Sequence, residues 1–135
     1  MDPSLASRIQ AANSALIAGG NLDAVAEFFT PDYVAHLTDQ DLTGGHGAIR
    51  RFLGELQRAF PDLQAGVEIL VEAQDRVAWQ RTLRGTHQGD FKGFPASGRP
   101  IVWRDMAISR FRDGLIAEDW VITDLAERLL LARKK

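Results

Sequence analysis

The sequence predicts an α+β fold on three observations. Apolar residues recur at helical spacing as far as Phe60, the stretch from Leu63 to Thr123 alternates as strands do, and the two kinds of element are segregated along the chain. At 135 residues, 45% of them apolar, the chain suits one domain over 1–135, with one core and a modest cavity.

Asp2 and Pro3 can serve as N-cap and first residue of helix one, whose stripe of Leu5, Ile9, Ala12 and Leu16 runs until Gly19 and Gly20 stop it. Asn21 can cap a second, shorter helix through Leu22, Val25, Phe28 and Phe29. Pro31 and Asp32 then end it before a short strand from Tyr33 to Leu37. The segment from Thr38 to Gly47 is polar and glycine-rich and reads as a loop. Beyond it, Ile49, Phe52, Leu53, Leu56 and Phe60 mark one face of a third helix that stops before Pro61.

Four strands follow, from Val67 to Glu72, Arg76 to His87, Ile101 to Phe111 and Leu115 to Thr123, with turn signals at Gln74-Asp75 and Asp113-Gly114. A leucine-rich helix from about Asp124 closes the chain, its basic residues suited to a helix C-terminus.

Sixteen basic against eighteen acidic residues give a net charge of −2, and the only basic run is the terminal Arg133 to Lys135, so nucleic acid is not an expected partner. Cysteine is absent, which excludes disulfides and thiolate chemistry. No apolar window is long enough to span a membrane and no leader pattern opens the chain, so a cytoplasmic protein with no membrane partner is expected. Three dispersed histidines have no ligand spacing, hence no metal. No dinucleotide fingerprint or phosphate-cradling loop is present, hence no cofactor.

The segments Pro31 to His36, Phe60 to Leu63, Asp75 to Val77, Gly85 to His87, Gly93 to Pro95, Gly98-Arg99, Arg110 to Gly114 and Glu118 to Trp120 with Asp124 together resemble the SnoaL-like polyketide cyclases, a branch of the nuclear transport factor 2-like superfamily. The likeness covers nearly the whole chain. It implies a cone-shaped, curled, largely antiparallel sheet that with three N-terminal helices encloses a hydrophobic pocket, and a dimer formed through the outer sheet face. Cyclases of this family that work by aldol chemistry use a strand histidine and an aspartate on the next strand. Those places are matched here by Ala107 and Val121, neither of which moves a proton.

Alternation along the last two strands separates two faces. Ile101, Trp103, Asp105, Ala107 and Ser109 with Ala117, Asp119, Val121 and Thr123 form an expected pocket wall. Val102, Arg104, Met106, Ile108 and Arg110 with Ile116, Glu118, Trp120 and Ile122 form an expected dimer face, centred on Met106, Ile108, Trp120 and Ile122. A one-residue bulge at Gly114 is needed to keep the odd residues together.

Asp105 is the first candidate for acid/base catalysis, because an apolar cavity would raise its proton affinity. Asp119, His36 and Arg81 are expected to assist, with Tyr33, Trp79, His87, Phe94, Trp103 and Val121 around a hydrophobic substrate. The loop from Gly89 to Pro100 is a candidate lid. The reaction expected is cyclisation or isomerisation of a carbonyl-bearing or polyketide-like compound. Two alternatives stand beside it: a binding module without catalysis, and an epoxide hydrolase, since Arg81 between Asp105 and Asp119 would be similar to the Asp-Arg-Asp set of limonene-epoxide-hydrolase relatives.

Overall fold

A computed structural model describes residues 4–38 and 40–133. Helix α1 (Leu5–Asn13) begins at Ser4, whose hydroxyl accepts the Ser7 amide and caps the helix. The cap expected at Asp2 and Pro3 lies outside the described residues. After Asn13 the helix widens into a single π turn, Ser14–Ala18, in which the Gly19 amide reaches back to Ser14 O at 2.8 Å. The Gln57 side chain donates to Leu16 O within that turn.

The second helix is a short 3₁₀ turn, Leu22–Ala24, followed by α2 (Val25–Phe28). Strand β1 then runs Phe29–His36, so it begins four residues before the expected Tyr33 and contains Pro31 rather than starting after it. The proline is tolerated because the ladder to β6 (Leu115–Thr123) is interrupted between Phe29 and Val34, where no amide is required of it. A two-residue strand, β2 (Asp41–Leu42), pairs with the end of β1 inside what reads as a loop. Helix α3 (Gly45–Ala59) starts against Pro31: a Cβ on Gly45 would come within 2.2 Å of Pro31 O, and its φ of 62° also demands glycine.

Strands β3 (Gln64–Ala73), β4 (Arg76–Thr86) and β5 (Pro100–Arg112) complete the sheet with β6, and α4 (Leu125–Arg133) follows. The order is β2-β1-β6-β5-β4-β3, antiparallel except for the parallel β1–β6 pair. The sheet is mixed, curled and unclosed, with β2 and β3 at its edges. The apolar faces of α1, α3 and α4 cover its concave side, joining Ile9, Leu16, Leu53, Leu56, Phe60 and Leu129 to Leu83, Trp103 and Ala107 of the sheet in one core.

The expected bulge exists but sits elsewhere. Asp113 and Gly114 form a two-residue turn with φ of 55° and 80°, which pairs Arg112 with Leu115 and Phe111 with Ile116. The register then shifts at Ala117, so that Arg110 faces Glu118 and Ser109 faces Asp119. As a consequence Ile116 is buried and lines the concave side, not the outer face assigned to it by simple parity. Beyond the bulge the alternation holds.

Candidate functional site

A cavity of about 250 Å³ lies between the concave sheet and the helices. Leu16, Leu53, Leu56, Leu83 and Leu129 are among the apolar side chains that close it, and Trp79, Trp103, Phe91 and Phe94 add aromatic walls. Four charged side chains enter this apolar enclosure: Arg81, Lys92, Asp105 and Asp119. Two of the three carriers of negative or delocalised charge come from β4 and β5, whose register places Arg81 directly across from Asp105.

The first polar cluster is built on that pair. Arg81 donates through Nε and Nη2 to the same oxygen, Asp105 Oδ2, at 2.9 Å each. Its Nη1 donates to Asn13 Oδ1 at 2.8 Å, while Asn13 Nδ2 donates to Ile9 O in α1. The other carboxylate oxygen, Asp105 Oδ1, is buried and has no hydrogen-bond partner. Helix α1 thus fixes the guanidinium, the guanidinium fixes one side of the carboxylate, and the second oxygen is left for something else to meet.

The second cluster lies on β6 and its neighbours. Tyr33 Oη donates to Asp119 Oδ2 at 2.5 Å, the Ser109 hydroxyl donates to Asp119 Oδ1, and Trp79 Nε1 donates to Ser109 Oγ at 3.0 Å. Burial pushes the proton affinity of Asp119 up, with the Ser109 and Tyr33 hydrogen bonds and the charge of Arg81 pulling against it. Burial also holds Tyr33 well above its usual range, reinforced by the neighbouring Asp119 carboxylate, so the phenol stays a neutral donor.

Between the clusters sits an apolar cross-strand pair, Ala107 opposite Val121. These are the two positions that the sequence resemblance matches to the aldol cyclases' histidine and aspartate. Here they make a gap of two small side chains flanked by Asp105 on one side and Asp119 on the other.

Three sequence expectations are corrected by this geometry. His36 is outside the cavity: in an uninterrupted strand residues three apart take opposite faces, so Tyr33 points inward and His36 outward. There its Nε2 meets Glu118 at 2.6 Å, its Nδ1 meets Asp41 at 3.1 Å, and its ring stacks on Trp120. His87 is likewise not on the cavity wall, since its ring is buried against Phe60 at 5.3 Å and its backbone pairs with Gly98 and Arg99. Arg81 does not bridge the two aspartates, because Asn13 takes the guanidinium edge that a second carboxylate would need. The epoxide-hydrolase arrangement is therefore not formed.

Sequence reasoning passed over Asn13 and the role of Ser109. Asn13 is one helical turn beyond the buried Ile9, and a polar residue placed on an apolar stripe is the signal that could have singled it out. Among the described residues, no group of three or more His, Cys, Asp or Glu side chains is placed to hold a metal ion. Nor is any described helix long and apolar enough to cross a membrane.

A family model described as SnoaL-like polyketide cyclase matches residues 7–130. Among solved structures, the chain resembles IdmH of Streptomyces antibioticus, provisionally termed a polyketide cyclase, at 29% identity and a TM-score of 0.81, covering 98% of this chain and all of that one. A SnoaL-like protein of Jannaschia sp. CCS1, also provisionally termed a polyketide cyclase, gives 25% identity and a TM-score of 0.81 over 100% and 99% of the two chains. AclR of Streptomyces galilaeus, provisionally termed a hydroxylase, gives 30% identity and a TM-score of 0.76 over 98% and 88%. No curated protein matches the chain.

Proposed function

The chain belongs to the SnoaL-like polyketide cyclase family, and from that premise we propose that it is a cofactor-independent enzyme that moves protons on a hydrophobic, carbonyl-bearing substrate, in a cyclisation or an isomerisation. Its structural neighbours carry the names cyclase and hydroxylase on one fold, so the reaction has to be argued from this chain's own side chains.

The observation that carries the proposal is Asp105. One of its oxygens is anchored by Arg81 and the other, buried and unpartnered, belongs to a residue of the cavity wall. A carboxylate held in that way is oriented before substrate arrives. Asp105 Oδ1 removes a proton from a carbon beside a carbonyl, and the C–H electron pair becomes an enolate. For cyclisation the enolate carbon bonds to a second carbonyl carbon as the C=O π pair moves onto oxygen, and that alkoxide takes the proton that Asp105 removed, which restores the carboxylate. For isomerisation Asp105 returns its proton to a different carbon. Four residue steps along β5, about 13 Å of extended strand, separate Asp105 from the Ser109 that holds Asp119, a span suited to a molecule with polar groups at both ends.

Mass spectrometry after incubation with polyketide, terpenoid and epoxide compounds tests this. The expected outcome is a mass-shifted or rearranged product, with Asp105→Asn lowering turnover about 10²- to 10⁴-fold while the compound still binds. Undiminished turnover in that variant overturns the assignment. The apolar Ala107 and Val121 pair favours one other reading, a binding module without catalysis, for which a compound retained unchanged is the outcome.

The same spectra taken under native conditions report the assembly. Met106, Ile108 and Ile122 are 53%, 42% and 71% exposed on the outer face, and around the half-buried Trp120 they suit a homodimer. A mass of one chain at micromolar concentration removes that part of the proposal.

A further inference from the structure

One cation at the cavity rim takes no part in either polar cluster. Lys92 sits in a tight turn from Phe91 to Phe94, closed by amide-to-carbonyl bonds of 3.0 and 2.8 Å in the two directions. Its φ is 47° and that of Gly93 is 84°. A turn left-handed at both central positions favours glycine, asparagine or aspartate, so a lysine is held there against local preference. Its ammonium lies 5.5 Å from the centre of the Phe52 ring and 5.9 Å from that of Phe91, and all three residues line the cavity.

The charges on the cavity wall do not balance locally. Arg81 is matched by Asp105, and Asp119 is occupied by two hydroxyl donors at the far cluster. Among the described residues no carboxylate forms an ion pair with Lys92, and the neighbouring Asp90 is engaged by the Ala96 amide. An exposed ammonium beside two aromatic rings, carried on a left-handed turn at the edge of an apolar cavity, is a receptor for one anionic oxygen group on an otherwise apolar molecule.

We infer that the ligand of this cavity carries such a group, a carboxylate or a phosphate ester, at the end that reaches the mouth, and that Lys92 selects it. The inference rests on the cavity being the small-molecule site, but not on the chemistry assigned to Asp105.

Two fluorescent probes with one ring skeleton test it: 1-anilinonaphthalene-8-sulfonate, which is anionic, and N-phenyl-1-naphthylamine, which is neutral. Lys92→Gln is expected to weaken the sulfonate about fivefold at low ionic strength and to leave the neutral probe unchanged, with Lys92→Arg restoring the difference. Equal effects on both probes, or none, overturn the inference. So does a Lys92→Gln effect that persists once Ala107→Trp has filled the cavity, because the probe would then be bound elsewhere. Displacement by 2-naphthoate and by 2-naphthyl phosphate distinguishes the two acids, and displacement by neutral 2-naphthol as effective as either overturns the proposal. Loss of turnover in Asp105→Asn with no probe discrimination by Lys92 would sink this inference and leave the proposed enzyme standing.

Discussion

Glu118 and Asp119 are neighbours on one strand, yet they live in opposite electrostatic worlds. Glu118 faces outward, where His36 and then Arg110 hold its carboxyl below the usual range. Asp119 faces inward, where burial holds its carboxyl above the usual range. The backbone is the same and the chemical group is the same. What separates them is which side of the sheet each occupies, which the extra residue at Ala117 decides. The inner face of the sheet keeps few charges, Arg81, Asp105 and Asp119, and holds each with buried partners. The outer side carries many and lets water screen them.

The largest expected break of that contrast comes from removing one arginine on each side. Arg81→Met leaves Asp105 buried and unpaired, and urea denaturation should show a loss of about 3–5 kcal/mol. Arg110→Met on the outer face should cost no more than about 1 kcal/mol. Comparable losses would mean that the two faces are not energetically distinct.

A finer test uses pH. The proton affinity of Asp119 is raised by folding, so the folded state binds a proton more readily than the unfolded chain does. Relative to Asp119→Asn, the wild type should be most stable below the ordinary carboxyl value of 3.8. That advantage should fall as pH rises from there through the raised folded value, and then level off. An advantage that grows over this range would contradict a desolvated Asp119.

The smallest effect belongs to His36. Its proton affinity is raised by the bond to Glu118 first and Asp41 second. The protonated ring therefore stabilises the fold below the ordinary value of 6.5, and the contribution is lost as pH rises through the folded value. Wild type and His36→Gln should differ slightly in thermal midpoint at pH 5 and converge at high pH, and salt should shrink the difference.

These contrasts also show what could be read from the sequence. The long strands and the faces of β5 were legible because thirteen residues, Pro100–Arg112, alternate without interruption. The covered stripe of α3 was legible for the equivalent reason at helical spacing. His36 and the true start of β1 were not, because Pro31 resembles a boundary when its partner strand is unknown. A two-residue strand such as β2 has no pattern of its own to detect. The bulge was deducible as a necessity but not as a place, since either Gly114 or Ala117 restores the parity and only the turn geometry chooses. The role of Asn13 depended on a contact 68 positions away in the chain, which no local pattern encodes.

The unbroken alternation of β5 has a consequence for how such a protein changes over time. Each substitution on that strand is felt on one side of the sheet and nearly ignored on the other, and changes at well-separated sites without shared partners add rather than interact. Descendants can therefore exchange the molecule they accept while keeping their surface contacts, or acquire new contacts while keeping their molecule, with one strand serving as two independently heritable surfaces.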